Sequence, residues 1–303
     1  MPTPSEAGGR EVLLEAPAKL NLGLAVLGRR PDGYHDLRTV FQAIDLADRL
    51  RLRDRDAGGI VLRVEGPEPV DAGPGNLVVR AGERMIREFA PNRGAEILLT
   101  KRIPVGAGLG GGSSDAAATL LGLESLWGIR LPPMERAALA LELGSDVPFF
   151  LEGGTARGEG RGETLMPFSS RIPGSFVLVV PSFRIATARA FRELPQPAPA
   201  SVDRLAAVES ALRQGDLDRL ATSLVNDLEP AAIRIEPGIE TVRRELLGRG
   251  AVFAGLTGSG SALFALFRSE AEADRCVREG GIPEATTVMR CIPVHYGARI
   301  ISG

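Results

Sequence analysis

The segment from Pro104 to Ser114 has residue types and a spacing that could bind a phosphate group. It reads Pro-Val-Gly-Ala-Gly-Leu-Gly-Gly-Gly-Ser-Ser, with five glycines among residues 106–112. Glycine adopts φ > 0 at no steric cost and lets a ligand approach the main chain closely. Alanines at 116–118 then favour a helix, for which the serine at 113 or 114 is a suitable N-cap. Because backbone N–H groups and a helix N-terminus attract anions, the segment predicts a phosphate-binding loop.

On the residues alone, a flexible surface loop is the alternative to a phosphate-binding loop. The commonest phosphate-binding motifs are absent. No lysine follows a glycine anywhere in the chain, so the P-loop pattern is absent. Gly106, Gly108 and Gly111 match G-x-G-x-x-G, yet no Rossmann βαβ unit surrounds them. The protein-kinase signatures His-Arg-Asp and Asp-Phe-Gly are absent too. A phosphate-binding function here therefore requires a different motif.

Two lysines and one aspartate are further candidates for chemistry. The chain has 36 basic residues, of which only Lys19 and Lys101 are lysine. An ammonium is a compact charge that can approach a phosphate or hydroxyl where the broad guanidinium does not fit. Asp146 follows a helix-ending glycine and precedes an apolar run, which places it at the rim of a core. On the residues alone there are simpler alternatives: the lysines could be surface charges, and the aspartate could be an ordinary turn residue.

Strands and helices must position these residues. Leucines at 20, 22 and 24 alternate with other residues, which predicts a strand with Lys19 and Asn21 on one face. A turn at 30–33 then delivers Tyr34 and His35 at the mouth of the next strand. The predicted strands lie at 37–44, 49–53, 60–64, 95–102, 154–167 (two short strands), 176–180, 251–255, 261–267 and 286–293, and the helices at 76–90, 113–127, 132–144, 187–194, 202–213, 216–225, 236–249 and 269–279. This irregular mixture favours an α+β fold.

The overall composition is that of an ordinary globular protein. Of the 303 residues 44% are hydrophobic and 24% charged, and the net charge is −2, which excludes a global basic field for nucleic acid or an anionic membrane. No apolar run is long enough for a membrane span, and the N-terminus does not resemble a signal peptide. Cys276 and Cys291 form no close-spaced metal pattern and fit a reducing cytoplasm. Residues 1–10 are predicted to form a loose tail, and residues 195–199 are predicted to form a surface connector.

Three motifs in order resemble those of the GHMP kinase superfamily, which includes galactokinase and the homoserine, mevalonate and phosphomevalonate kinases. They are Ala16–Leu22, Pro104–Ala117 and Leu256–Ala262. The resemblance implies an α+β, two-domain GHMP kinase fold with the active site in the cleft between the domains. The N-terminal domain, a mixed α/β ATP-binding domain, is expected at 1–160. The C-terminal domain, a ferredoxin-like α+β substrate domain, is expected at 161–303.

Further stretches narrow the resemblance to the branch of the superfamily that acts on cytidylyl methylerythritol. These stretches are Arg29–His35, the triple glycine at 110–112, Gly144–Pro148 and Asn226–Glu229. The branch implies ATP-dependent phosphorylation of the 2-hydroxyl of that small molecule. Another small-molecule kinase of the superfamily and a non-catalytic ligand sensor are the alternatives. The pair Tyr34-His35 and the triple glycine argue against the first, and the retained Lys19 and Asp146 argue against the second.

The resemblance also implies how ATP is bound. The glycine loop is expected to wrap the phosphates, with Mg²⁺ assisting and Ser114 as a possible ligand of the metal. The adenine side is expected at Asn76, Leu77 and Lys101. The complete expected ATP-binding set is Asn76, Leu77, Lys101, Pro104, Val105, Gly106, Ala107, Gly108, Leu109, Gly110, Gly111, Gly112, Ser113 and Ser114.

Catalysis and substrate binding are likewise implied by the resemblance. Asp146 is expected to take the proton of the acceptor hydroxyl, and Lys19 to stand beside it. An aromatic base needs stacking partners, which Tyr34 and His35 supply together with an aromatic residue four positions after a threonine. The expected substrate-binding set is Asn21, Tyr34, His35, Thr187, Phe191, Gly258 and Ser259. A monomer or weak homodimer is expected.

Overall fold

The structure is a computed structural model that describes residues 10–194 and 201–303. The predicted tail, except for Arg10, and the predicted connector at 195–199 lie outside these residues. The strands are β1 (Glu11–Arg29), β2 (His35–Asp54), β3 (Gly59–Glu65), β4 (Gly94–Thr100), β5 (Thr155–Gly160), β6 (Thr164–Pro167), β7 (Ser175–Pro181), β8 (Phe253–Leu256), β9 (Leu263–Phe267), β10 (Ala285–Cys291) and β11 (Arg299–Ser302).

The helices are mostly short. They are α1 (Leu77–Phe89), α2 (Gly111–Trp127), α3 (Pro133–Leu143), α4 (Val147–Glu152), α5 (Thr187–Arg192), α6 (Val202–Gln214), α7 (Leu217–Ser223), α8 (Glu229–Ile235), α9 (Gly238–Gly248) and α10 (Glu270–Glu279). Among the helices of the described ranges, none has the length and apolar character needed to cross a membrane.

Seven strands form the first sheet, in the order β11-β1-β2-β4-β3, with β5 paired to β2 and β6 to β5. All pairs are antiparallel except β3 with β4. The two strands predicted at 37–44 and 49–53 are halves of the single strand β2. They form one strand because β1 pairs along both halves, while β5 borders the first half and β4 the second.

Four strands form the second sheet, in the order β10-β7-β9-β8, with every pair antiparallel. In chain order the unit runs strand, helices, strand, strand, helix, strand, which is the ferredoxin-like arrangement. The expectation of an α+β fold with a ferredoxin-like second part is confirmed.

Helix α2 lies in the core of the first part and packs against β1, β2, α1 and α4. Its residues 116–118 are alanines with no exposed surface. A β-carbon at Gly122 would lie 2.7 Å from a methyl group of Leu52 and 2.9 Å from one of Leu14, so a larger residue would require these leucines to move. The small residues after the glycine loop therefore serve close packing.

Strand β1 is buried on both faces and joins the two parts of the molecule. Leu20 and Leu22 belong to the same apolar cluster as Phe176 of the second sheet. Lys19 and Asn21 lie on the other face and contact each other, as the alternation predicts. Strand β1 therefore has an apolar face toward the second sheet and a polar face that carries Lys19 and Asn21.

Helix α2 begins earlier than the sequence indicates. The predicted N-cap was the serine at 113 or 114, whereas the helix begins at Gly111 with Gly110 as its cap, at φ +73° and without a side-chain hydrogen bond. A β-carbon at Gly110 would lie 2.5 Å from the ring of Phe150, and one at Gly111 would lie 3.1 Å from Nζ of Lys101. Gly110 therefore has no room for a side chain, and a β-carbon at Gly111 would be tightly packed.

The segment that follows β10 returns to the first sheet. The N–H of Val294 donates to the carbonyl of Ala43 at 2.9 Å, and that of Ala298 donates to the carbonyl of Phe150 at 2.6 Å. Strand β11 then pairs with β1. Because β6 and β11 both belong to the first sheet, strand pairing crosses the expected division at residue 160, and that division stays a prediction.

Candidate active site

The two glycine motifs meet at the centre of the molecule. The N–H of Lys19 donates to the carbonyl of Leu109 at 3.0 Å, and the N–H of Ala262 donates to the carbonyl of Ala107 at 3.2 Å. A β-carbon at Gly260 would collide with the carbonyl group of Ala107. The loop of the first part is therefore held between β1 and the glycine turn of the second part.

Lys19 and Asp146, the two expected catalytic residues, face each other at this junction. Nζ of Lys19 lies 3.8 Å from Oδ2 of Asp146 and 5.4 Å from the ring centre of Phe41. The lysine is 4% exposed, and burial lowers the pKa of its ammonium, although the charge of Asp146 opposes this. A buried ammonium beside a carboxylate can stabilise negative charge that develops on a reacting oxygen.

Asp146 lies where α3 has ended and α4 begins, so its position depends on that short helix. Its side chain is 32% exposed, which leaves the carboxylate accessible to a small molecule. Phe149 and Phe150 anchor α4 in the core, and the segment at 294–298 contacts its far end. The aspartate is thus an exposed group on a fixed support.

Asn21 and the turn of the second glycine motif complete this junction. Nζ of Lys19 donates to Oδ1 of Asn21, and the N–H of Asn21 donates to Oγ1 of Thr257 at 2.8 Å. A β-carbon at Gly258 would lie 3.0 Å from Oδ1 of Asn21 and 3.3 Å from Nζ of Lys19. Thr187 and Ser259 share a hydrogen bond of 2.9 Å between their hydroxyls.

Two of the three expected aromatic residues stack on each other. The rings of His35 and Phe191 have centres 4.8 Å apart and an interplanar angle of 22°. Burial lowers the pKa of His35, and the charge of Arg29 lowers it further, so the imidazole is neutral near pH 7. Tyr34 is 58% exposed and lies under the guanidinium of Arg161, 5.0 Å away. The structure brings β2 and α5 together here, as expected.

Lys101 lies beneath the glycine loop in a buried ionic cluster. Its ammonium donates to Asp48 and to Oδ2 of Asp115, the latter at 2.8 Å. Burial opposes the charge of Lys101, but the two carboxylates outweigh it and raise its pKa. The expected contact of Lys101 with ATP stays a prediction, and both of its described hydrogen-bond partners are protein carboxylates.

Asp48 is a residue that the sequence analysis missed. It has no exposed surface, and its Oδ1 accepts from the N–H of Ile103 at 2.9 Å as well as from that of Arg102. Burial raises the pKa of Asp115; Lys101 opposes that rise and Asp48 adds to it. The cluster joins β2, the start of the loop and α2. An aspartate within the apolar pattern of β2 was the available signal.

Asn76, Leu77 and the two serines lie around the start of α2. Oδ1 of Asn76 accepts from the N–H of Val78 at 2.9 Å and caps α1. A β-carbon at Gly112 would lie 3.7 Å from Leu77, so the start of α1 borders the loop. Oγ of Ser114 is buried without a hydrogen-bond partner, whereas Ser113 is partly exposed. The start of α1 and the glycine loop therefore form one continuous surface.

A magnesium ion would find few protein ligands in this region. Residues 10–194 and 201–303 contain no group of three or more His, Cys, Asp or Glu that could hold a metal. The hydroxyl of Ser114 has no hydrogen-bond partner and could serve as one protein ligand of the metal. Mg²⁺ commonly keeps several waters and binds substrate phosphates. The residues present therefore fit a metal that is held mainly by the nucleotide.

The motif at Asn226–Glu229 has a structural role that its sequence did not reveal. Nδ2 of Asn226 donates to the carbonyl of Gly258 at 2.7 Å, and Oδ2 of Asp227 accepts from the N–H of Val26 at 2.9 Å. Glu229 accepts from the N–H of Leu256. The motif thus fastens the second glycine turn to β1.

The two-part fold, the meeting of two glycine motifs and the lysine–aspartate pair define a GHMP kinase. Residues 76–154 match the family described as GHMP kinases N terminal domain, and residues 208–281 match GHMP kinases C terminal. Three relatives named 4-diphosphocytidyl-2-C-methyl-D-erythritol kinase cover most of the chain. The one from Pelotomaculum thermopropionicum is 45% identical (83% of this chain, 87% of its own), that from Geobacter sulfurreducens 41% (88% and 93%) and that from Rhodococcus jostii 40% (97% and 96%). This chain belongs to the 4-diphosphocytidyl-2-C-methyl-D-erythritol kinase family.

Solved structures agree with this assignment. A crystal structure of 4-(cytidine 5'-diphospho)-2C-methyl-D-erythritol kinase has a TM-score of 0.75 at 35% identity, covering 93% of this chain and 98% of its own. A homoserine kinase from Cytophaga hutchinsonii has a TM-score of 0.77 at 20% identity, covering 99% and 100%, and shares the fold.

Proposed function

We propose that this protein transfers the γ-phosphate of ATP to the 2-hydroxyl of 4-diphosphocytidyl-2-C-methyl-D-erythritol, in the methylerythritol phosphate route to isoprenoids. The observation that carries the proposal is the placement of Lys19 and Asp146 where the two glycine motifs meet, with the aromatic pair of His35 and Phe191 farther along β2. His35 and Thr39, which bonds Asn21, are four strand residues apart, or about 13 Å. This separation suits a substrate with an aromatic base at one end and an alcohol at the other.

In the proposed reaction Asp146 accepts the proton of the acceptor hydroxyl as that oxygen attacks the γ-phosphorus, and the bond from the γ-phosphorus to the β,γ-bridging oxygen breaks, so that ADP leaves. The carboxylate is accessible, as a base must be to come within hydrogen-bond reach of the substrate. The ammonium of Lys19 lies beside the carboxylate of Asp146 and stabilises the negative charge that develops on the attacking oxygen. Asn21 and the turn at Gly258 and Ser259 enclose the acceptor end.

The nucleotide would lie along the glycine loop, at residues 104–114. Gly106, Gly108 and Gly110 adopt φ between +71° and +87°, which turns successive peptide groups of the loop. Phosphate binding at a glycine-rich loop followed by a helix uses backbone N–H groups and the helix dipole. Mg²⁺, held by ATP oxygens, water and Ser114, would neutralise phosphate charge when bound.

The cytosine would stack at His35 and Phe191. Their rings lie 4.8 Å apart, and a base between them needs two contacts of about 3.5 Å each, or about 7 Å in total. The rings must therefore separate by roughly 2 Å when the base enters. Phe191 lies on the six-residue helix α5, so this movement would involve α5 or the side chain of Phe191. Tyr34 borders this site from the exposed side.

The test is ATP consumption with 4-diphosphocytidyl-2-C-methyl-D-erythritol, compared with mevalonate, phosphomevalonate and homoserine. We expect turnover with the cytidylyl compound to exceed the others by orders of magnitude. CMP and CDP should compete with this substrate, because they carry the same cytidine group and would bind at the same site. Equal turnover with the four alcohols would refute the proposed substrate.

We further propose that the protein works in the cytoplasm as a monomer or weak homodimer. Two free, buried cysteines fit a reducing compartment. We also propose that residues 1–160 form the ATP-binding domain and residues 161–303 the substrate domain. In that division β11 belongs to the second domain in sequence but pairs with β1 of the first. Sedimentation of the purified protein would test the oligomeric state.

A further inference from the structure

A directed chain of hydrogen bonds ends at the ammonium of Lys19. Nζ of Lys19 donates to Oδ1 of Asn21, and Nδ2 of Asn21 donates to Oγ1 of Thr39 at 2.7 Å. The hydroxyl of Thr39 donates to the carbonyl of Gly23 at 2.6 Å. The three residues are each at most 4% exposed, so water cannot easily replace any of these partners.

The direction of this chain is fixed at both ends. A threonine hydroxyl has one proton, and Thr39 gives that proton to the carbonyl of Gly23. Toward Asn21 the hydroxyl can therefore only accept, and the amide must present its NH₂ group to it. The carbonyl oxygen of Asn21 is then turned toward Lys19, whose ammonium can only donate.

We propose that Thr39 is a positioning residue for the phosphoryl transfer: through the amide of Asn21 it fixes the ammonium of Lys19 beside Asp146. This inference rests on the proposed function of the site. Without the hydroxyl, the NH₂ group of Asn21 loses its acceptor and nothing holds the amide in this orientation. Lys19 then loses its one described neutral acceptor and has only Asp146, 3.8 Å away, as a polar partner.

The experiment uses a property of the sequence: Lys19 and Lys101 are its only lysines. Protein labelled with ¹³C at the lysine ε-carbon therefore gives two signals, and Lys101 reports on the fold. Thr39→Val should shift the signal of Lys19 and lower the pKa of its ammonium, while the signal of Lys101 stays. Thr39→Ser keeps the hydroxyl and should leave both signals unchanged. Thr39→Ala serves as a second variant if valine prevents folding.

Thr119→Val is the matched control. Thr119 is fully buried, and its hydroxyl donates to the carbonyl of Asp115 at 2.8 Å, outside the chain of hydrogen bonds. We expect Thr39→Val to lower kcat about tenfold or more, as for loss of a hydrogen bond to a charged group, with the KM for ATP nearly unchanged. Thr39→Ser should restore most of kcat, and Thr119→Val should not lower it.

The outcomes are separable. An unchanged Lys19 signal in both Thr39→Val and Thr39→Ala would overturn the inference, as would equal losses of kcat in Thr39→Val and Thr39→Ser. If wild-type protein fails to phosphorylate the cytidylyl substrate, the proposed function fails, whereas the lysine signals still show whether Thr39 orients the Lys19 ammonium.

Discussion

Replacing each of the two lysines by methionine should affect thermal stability in different ways. Both ammonium groups are buried, but their surroundings differ. Burial lowers the pKa of Lys19, and its one carboxylate partner, Asp146, keeps a third of its surface in water. Lys101 lies between the buried carboxylates of Asp48 and Asp115, which raise its pKa despite burial. The charge of Lys19 therefore contributes little to the stability of the fold, whereas the charge of Lys101 stabilises it.

The expected magnitude follows from what each variant leaves behind. Lys101→Met leaves two carboxylates buried without their cation, and removing one partner of such a group costs about 3–5 kcal/mol. For a chain of this size each kcal/mol lowers Tm by roughly 2–4 °C, so a fall on the order of 10 °C is expected. Lys19→Met leaves Asp146 accessible to water, but it removes the donor to the buried Oδ1 of Asn21, which costs about 1–3 kcal/mol. Because the variant also relieves the burial of an ammonium, its Tm should fall by a few degrees at most.

Differential scanning calorimetry at pH 7 measures both variants, and a kinase assay accompanies it. Lys19→Met should be folded but without measurable turnover. Because folding raises the pKa of Lys101 above its ordinary 10.5, the stability it contributes is fully present below about pH 10.5 and is lost as the pH rises further. Equal falls in Tm for the two variants, or a larger fall for Lys19→Met, would refute this account of the lysines.

Three further predictions concern the cleft. Asp146→Asn should keep the Tm and lower kcat by about 10²–10⁴-fold, as for loss of a general base; turnover near that of wild type would refute the role. Gly260→Ala should force apart the two glycine motifs and lower kcat/KM about 10²-fold, whereas Gly248→Ala, whose β-carbon meets nothing within 4 Å, should be neutral or stabilising by up to about 1 kcal/mol. Phe191→Ala should raise KM for the cytidylyl substrate but not for ATP, and more than Tyr34→Ala does; matching effects on both substrates would contradict stacking.

The sequence predicted the elements whose residues repeat with a clear period. The alternating leucines of β1 placed Lys19 and Asn21 on one face, and the structure agrees. The predicted start of α2 was wrong because propensity treats Gly111 as a helix breaker, whereas in the structure Gly111 begins the helix, close to Ile103 and Lys101. Helices α4 and α8 and strand β11 are too short to show a period. Local patterns do not contain the tertiary contacts that specify these elements.

The site was predictable in its residues but not in its connections. Motif resemblance named Lys19, Asp146, His35 and Phe191, which the structure places in contacting pairs. It did not name Asp48: the apolar pattern of β2 marks that aspartate as unusual, but its bonds to the start of the glycine loop are visible only in the fold. The partners in these bonds lie far apart in sequence and meet only after folding.

Because the segment at 294–302 returns to the first sheet, we expect activity to appear late in synthesis. Asp146 precedes α4, and the far end of α4 is contacted by Ala298, while β11 completes the sheet beside β1. The second sheet is therefore translated between two pieces of the first. A nascent chain that has released the whole second sheet still lacks the support of α4, so activity should appear only when residue 302 is free of the ribosome.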